Sequence, residues 1–144
     1  MSLKWCVVGM TIKDYLTKHE GLKLKPYRCT AGRLTIGVGR NLDDKGITEE
    51  EAVYLLGNDI EECKQDLATI FSDWENLSYN RKLVLIDMRF QLGQTGFRGF
   101  KRLISAIKMG DNKKAIQSIK ESLYYKQVTS RAEENIKLLE DGDV

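Results

Sequence analysis

A chain of 144 residues with 42% hydrophobic and 31% charged side chains can bury one core and is too short for two independent domains. Its 23 basic and 21 acidic residues nearly cancel at +2, which argues against a disordered or supercharged chain. The longest apolar runs, such as Leu83 to Ile86, fall far short of the roughly 20 residues that cross a bilayer, so no membrane span is expected.

The opening stretch, Met1 to Gly9, has no assignable role. Its apolar patch, Trp5 to Val8, is shorter than the core of a signal peptide, so no signal peptide is expected. Thr11 is an N-cap candidate with Asp14 three residues on, and Ile12, Tyr15 and Leu16 follow at helical spacing, which predicts a short helix ending near Glu20-Gly21. From Leu24 to Val38 the period changes. Tyr27, the turn residues Thr30-Ala31-Gly32 and the β-favouring Leu34-Thr35-Ile36-Gly37-Val38 predict a hairpin, with the single proline, Pro26, at its entry on an edge strand. A polar loop, Asn41 to Gly46, closes this β region. Thr48 with Glu51 forms a capping box, and Ala52, Leu55, Leu56, Ile60, Cys63 and Leu67 trace an apolar stripe along a helix of about 20 residues, about 30 Å long. Beyond Phe71 the pattern predicts four shorter helices, Asn80 to Leu92, Gly99 to Lys108, Asn112 to Tyr124 and Ser130 to Glu140. The class is therefore α+β, a small N-terminal sheet with a helical remainder.

Chemistry is narrowed by what is missing. Cys6, Cys29 and Cys63 form no C-x-x-C pair and leave one unpaired under any bridging scheme, so a reducing compartment fits best. With His19 the single histidine, multi-histidine metal sites and a histidine-centred triad fall away, and proton chemistry passes to carboxylates. The G-x-G of Gly37 to Gly39 runs on as Arg40-Asn41-Leu42 and is no phosphate cradle. Charge is segregated: +5 over residues 1 to 46, −8 over 47 to 75 and +5 over 76 to 144. Solvated helix faces explain this, and so would an anionic polymer lying across the basic parts.

Glu20 stands where the first helix gives way to the hairpin. Eight residues separate it from Cys29, five more separate Cys29 from Thr35, and Ile36-Gly37-Val38-Gly39 follows. This arrangement resembles the signature of the phage-type lysozymes, glycoside hydrolase family 24. Further along, Ile47-Thr48-x-x-Glu51-Ala52, the segment Phe90 to Phe100 and Tyr125-x-Gln127 followed by Arg131-Ala132 are similar to later family segments in the same order.

The resemblance implies a single lysozyme domain over residues 1 to 144. Its lobes would be about 20 to 46 and 70 to 144 plus 11 to 19, joined by a helix over 48 to 67. It implies hydrolysis of the β-1,4 bond between N-acetylmuramic acid and N-acetylglucosamine in peptidoglycan, with no cofactor and no metal. Glu20 would be the general acid, partly desolvated by burial under bound sugar, which favours its protonated form. Cys29 takes the place of the family's commoner aspartate. A thiol beside an ionised Glu20 would be held neutral. Three roles for it stay open: sharing a water with Thr35, attacking the anomeric carbon, or filling space on the hairpin. Exposed, it would also make the enzyme sensitive to oxidants. Arg131 would support Glu20, and Leu42, Phe90 and Gln91 would line the cleft, Phe90 reading equally well as core. An ion pair between Arg40 and Asp59 is expected, and His19 reads as a surface residue. The six residues between Arg40 and Ile47 imply a shortened lip.

The resemblance implies a monomeric endolysin that would wait in the host cytoplasm and reach peptidoglycan glycan strands through a separate holin. A second reading is a wall-binding or virion-associated module with weakened catalysis. A third, a basic nucleic-acid binder, lacks any reading motif, so no nucleic-acid partner is expected.

Overall fold

The structure is a computed structural model that describes residues 9–142, so Cys6 and the Trp5 to Val8 stretch lie outside the described residues. The Thr11 hydroxyl accepts a hydrogen bond from the Asp14 amide at 3.0 Å and starts α1, Ile12–Glu20. Gly21, at φ 77°, ends it by donating its N–H to Thr17 O. This positive φ suits glycine, which lacks the Cβ that makes the conformation costly.

Three strands follow, β1 (Lys23–Arg28), β2 (Leu34–Gly37) and β3 (Arg40–Asn41), in an antiparallel sheet ordered β1-β2-β3. Tyr27 faces Thr35 and Arg28 faces Leu34, while the register shifts between Lys23 and Tyr27. Pro26 sits within that irregular stretch of an edge strand, where a missing N–H breaks no ladder bond. The β1 to β2 turn is closed by Cys29 N–H to Arg33 O at 3.0 Å and Gly32 N–H to Cys29 O at 2.8 Å. Part of the expected polar loop is strand: Arg40 and Asn41 pair with Ile36 and Thr35. The remainder is a tight turn in which Asn41 and Asp44 bond each other and Asp43 Oδ2 accepts the Leu34 N–H at 2.7 Å.

The Thr48 and Glu51 capping box forms in both directions, Thr48 N–H to Glu51 Oε1 at 2.8 Å and Glu51 N–H to Thr48 Oγ1 at 3.1 Å. It opens α2, Glu49–Ile70, 22 residues long. Cys63 and Leu67 are the buried members of its apolar stripe, whereas Leu55 and Leu56 are exposed. A short 3-10 turn, Trp74–Asn76, leads to α3 (Tyr79–Arg98), α4 (Lys101–Lys108), α5 (Asn112–Lys120), α6 (Leu123–Gln127) and α7 (Thr129–Glu140). Gly93, at φ 77°, interrupts α3 one residue beyond the end expected at Leu92. The helix expected over Asn112 to Tyr124 is two helices, because Ser122 leaves helical geometry and caps α6 through Tyr125 N–H.

The chain divides into two compact units at Val53/Tyr54, within α2. In the described part of the first, Thr35 alone is buried. The second holds a continuous hydrophobic core in which Leu67, Phe71, Leu85, Met88, Phe97 and Leu103 are inaccessible to solvent. Most of the apolar burial that stabilises the described residues is therefore in the second unit.

Candidate active site

Glu20 is the last residue of α1, and its side chain is exposed. Its carboxyl group lies against the backbone of Gly39, in the turn between β2 and β3. A Cβ built on Gly39 would stand 2.5 Å from Glu20 Oε2 and 2.9 Å from its carboxyl carbon, and Gly39 has φ 64°. Both the conformation and the closeness demand glycine there. The second glycine of Ile-Gly-x-Gly is thus the surface on which the glutamate rests, a role that the sequence reading left unassigned. The motif itself was the signal for it.

Thr35 lies on the central strand, paired across to Tyr27 and Asn41, and is 3% exposed. Its hydroxyl donates to Arg33 O at 2.8 Å, so its single proton is committed. Cys29 directly follows β1, is half-buried and free of any disulfide. The backbone N–H groups of Arg33 and then Ala31 favour its thiolate and hold the thiol below its ordinary range. Partial burial opposes them. The turn that closes the hairpin thus aims amide dipoles at the sulfur. Cys63, by contrast, is buried, and desolvation pushes its thiol up.

Leu42, half-buried after β3, donates its N–H to Leu34 O at 2.7 Å. Glu20, Cys29, Thr35 and Leu42 therefore share the first unit, while Phe90, Gln91 and Arg131 belong to the second. Phe90 is 44% exposed on α3 beside the exposed Gln91, which favours its surface reading over the core one. Arg131, near the start of α7, donates from Nε to both Asp87 oxygens at 3.0 Å and also from Nη2. Asn135 Nδ2 donates to Asp87 Oδ2 at 2.9 Å and to the Tyr124 hydroxyl at 3.1 Å. Asp87 escaped the sequence reading, though an acid within the apolar run Leu83 to Met88 was a usable signal.

Two flanking expectations resolve differently. Arg40 pairs with Glu51, not Asp59: its Nη1 reaches Glu51 Oε1 at 2.9 Å and Gly46 O at 3.0 Å. Glu51 stands in the first turn of α2, whereas Asp59 is eight residues, about 12 Å, further along the helix. His19 is an exposed helix residue whose ring meets Tyr15 edge-on, centroids 4.5 Å apart. Among the described residues no group of three His, Cys, Asp or Glu side chains could hold a metal ion.

A small antiparallel sheet near the N-terminus, a glutamate at its approach and a helical remainder define a lysozyme-like α+β protein. The phage lysozyme family matches residues 17–133, most of the chain, and the protein belongs to that family. It is 27% identical over 162 residues to probable T4-type lysozyme 2 of Dictyostelium discoideum, covering 92% of this chain and 95% of that one. It is 33% identical over 100 residues to an endolysin of Acyrthosiphon pisum secondary endosymbiont phage 1, covering 67% and 66%. With the pre-baseplate central spike protein Gp5 of Enterobacteria phage T4 it shares 28% identity over 152 residues, covering 86% of this chain and 26% of the spike protein. The chain thus spans about a quarter of that relative and nearly all of the Dictyostelium protein. Its function is lysozyme-like. Among the described residues no helix is long and apolar enough to cross a membrane.

Proposed function

We propose that this protein is a muramidase that hydrolyses the β-1,4 bond between N-acetylmuramic acid and N-acetylglucosamine in peptidoglycan. Glu20 donates its proton to the glycosidic oxygen as the bond to the anomeric carbon breaks. The oxocarbenium-like centre is taken by a water held between Cys29 Sγ and Thr35 Oγ1. Thr35, its own proton engaged by Arg33 O, accepts one water hydrogen. Cys29 Sγ orients the water through its other hydrogen, and that proton passes to bulk solvent as the new C–O bond forms, giving inversion at the anomeric carbon. Leu42 contacts sugar, as do Phe90 and Gln91, and Asp87 orients the Arg131 guanidinium. The enzyme works as a monomer without cofactor. Its role is that of an endolysin, released from the host cytoplasm through a separate holin.

The observation that carries this reading is the Glu20 carboxyl seated on the bare backbone of Gly39, in the turn after the strand that bears Thr35, in the same hairpin region as Cys29. Purified peptidoglycan should lose turbidity, and borohydride reduction of the products should yield muramitol ends. Glu20→Gln should lower the rate by at least about a hundredfold, the scale of general acid catalysis. Cys29→Asp should stay active and Cys29→Ala should not. Glucosaminitol ends would overturn the muramidase assignment, and full activity of Glu20→Gln would overturn the acid. Similarity to the spike protein favours a second biological setting, a virion-associated wall-opening module. Finding the protein in purified particles and not in free lysate would select it.

A further inference from the structure

The helical hairpin formed by α4 and α5 concentrates positive charge beyond what its fold requires. Residues 98–126 hold eight basic and two acidic side chains, whereas residues 54–97 hold four and seven and residues 127–142 hold two and four. Two of the eight are neutralised, Arg98 by Asp66 and Arg102 by Glu121. The other six, Lys101, Lys108, Lys113, Lys114, Lys120 and Lys126, are exposed and form no ion pair with any described residue.

Helix energetics disfavour this placement. α4 opens on Lys101 and Arg102 with neither a side-chain cap nor an acid in its first turn; α5 carries Lys113 and Lys114 in its first turn, where the Asp111 cap accepts the Lys114 N–H at 3.0 Å. Cations at a helix N-terminus oppose the positive end of its dipole. A local rule broken at α4, beside a second helix start that carries two cations on one acidic cap, points to a use outside folding. Between the two helices runs a groove of about 460 Å³, lined by Lys101, Arg102, Ser105, Met109, Lys114 and Gln117.

We propose that this groove binds a phosphodiester-linked anionic polymer of the cell wall, of the poly(glycerol phosphate) kind, and so holds the enzyme beside its substrate. The source of the polymer rests on the wall-hydrolase reading; the charge argument does not. Scattered ammonium groups suit a flexible chain of single phosphates, since each is a compact point charge with no planar geometry to satisfy. Nucleic acid fits less well because no aromatic side chain lines the groove as a stacking platform. A membrane fits less well because the apolar face of α4, Leu103, Ala106 and Ile107, is buried in the core, leaving no stripe to insert.

The test measures binding of the full chain to purified, peptidoglycan-free poly(glycerol phosphate) by fluorescence anisotropy. Wild type should bind at about 50 mM salt and lose at least about tenfold in affinity by about 200 mM, as phosphate contacts release counterions. Lys113→Glu with Lys114→Glu should weaken binding at least tenfold at the lower salt. Lys23→Glu with Lys25→Glu on β1, an equal change in net charge, should leave it within twofold. The first pair should melt no lower than wild type, since acids now occupy the first turn of α5; Lys113→Gln with Lys114→Gln provides a milder change expected to bind more weakly as well. Absence of wild-type binding, equal loss in the two Glu pairs, or displacement by single-stranded DNA of equal charge would each overturn the proposal. Glu20→Gln, with no glycosidic bond to act on here, should bind like wild type, so failure of hydrolysis and failure of docking are read separately.

Discussion

Gly39 bears two constraints at once, a positive φ and a carboxylate against its backbone. Gly39→Ala should destabilise the protein by about 1 kcal/mol through backbone strain alone. Because the new methyl would displace Glu20, the rate of peptidoglycan hydrolysis should fall by about a hundredfold, the scale expected when a reacting group shifts by an ångström. Turbidity assays with thermal melts check both, and an unchanged rate would sink the contact. The spacing to Cys29 and Thr35 singled out Glu20 as a candidate. The ionisation tendency of Cys29 was not. It depends on where the amides of Ala31 and Arg33 point, a property of turn conformation that residue identities leave open.

The helix start at α2 is a device that spacing makes visible and that packing extends. Glu51 closes the capping box and also binds Arg40, whose hydrogen bonds, with that of the Thr48 amide, bring the Glu51 carboxyl down to about 2 from 4.5. A carboxylate depressed in the folded state contributes stability that is complete above its unfolded value and lost as pH falls through the folded one. Wild type should therefore exceed Glu51→Gln in stability by a constant margin above about pH 4.5, and the margin should shrink toward pH 2. Urea titrations across that range test it, and the glutamine keeps the cap so that charge alone is varied. The same paired reading explains why β3 was missed. Two residues, Arg40 and Asn41, show no period of their own and are strand only because β2 lies alongside.

At the scale of the whole molecule, the second unit encloses an ionic network at the edge of its core. Asp66 accepts hydrogen bonds from Arg89 and Arg98, Arg89 being 9% exposed. Burial alone would raise the Asp66 carboxyl, but the two guanidinium groups outweigh it and hold it below its ordinary value. Asp66→Ala would leave the Arg89 charge buried without its partner and should cost about 3–5 kcal/mol in urea unfolding. Replacing both partners with apolar residues, Asp66→Leu and Arg89→Met, should cost less than Asp66→Ala does. A double variant as unstable as the single would refute the account.

The linear chain by itself determined the α+β class, the helix starts at Thr11 and Thr48, the hairpin and the family, because caps, periods and motif spacings act between residues a few positions apart. The tertiary structure decided which charges meet, Arg40 with Glu51, Arg89 with Asp66, Arg131 with Asp87, and which bare backbone Glu20 rests on. These pairings join residues brought together by packing across 11 to 44 positions, and a side chain's partner is set by that approach in space, which no local pattern encodes.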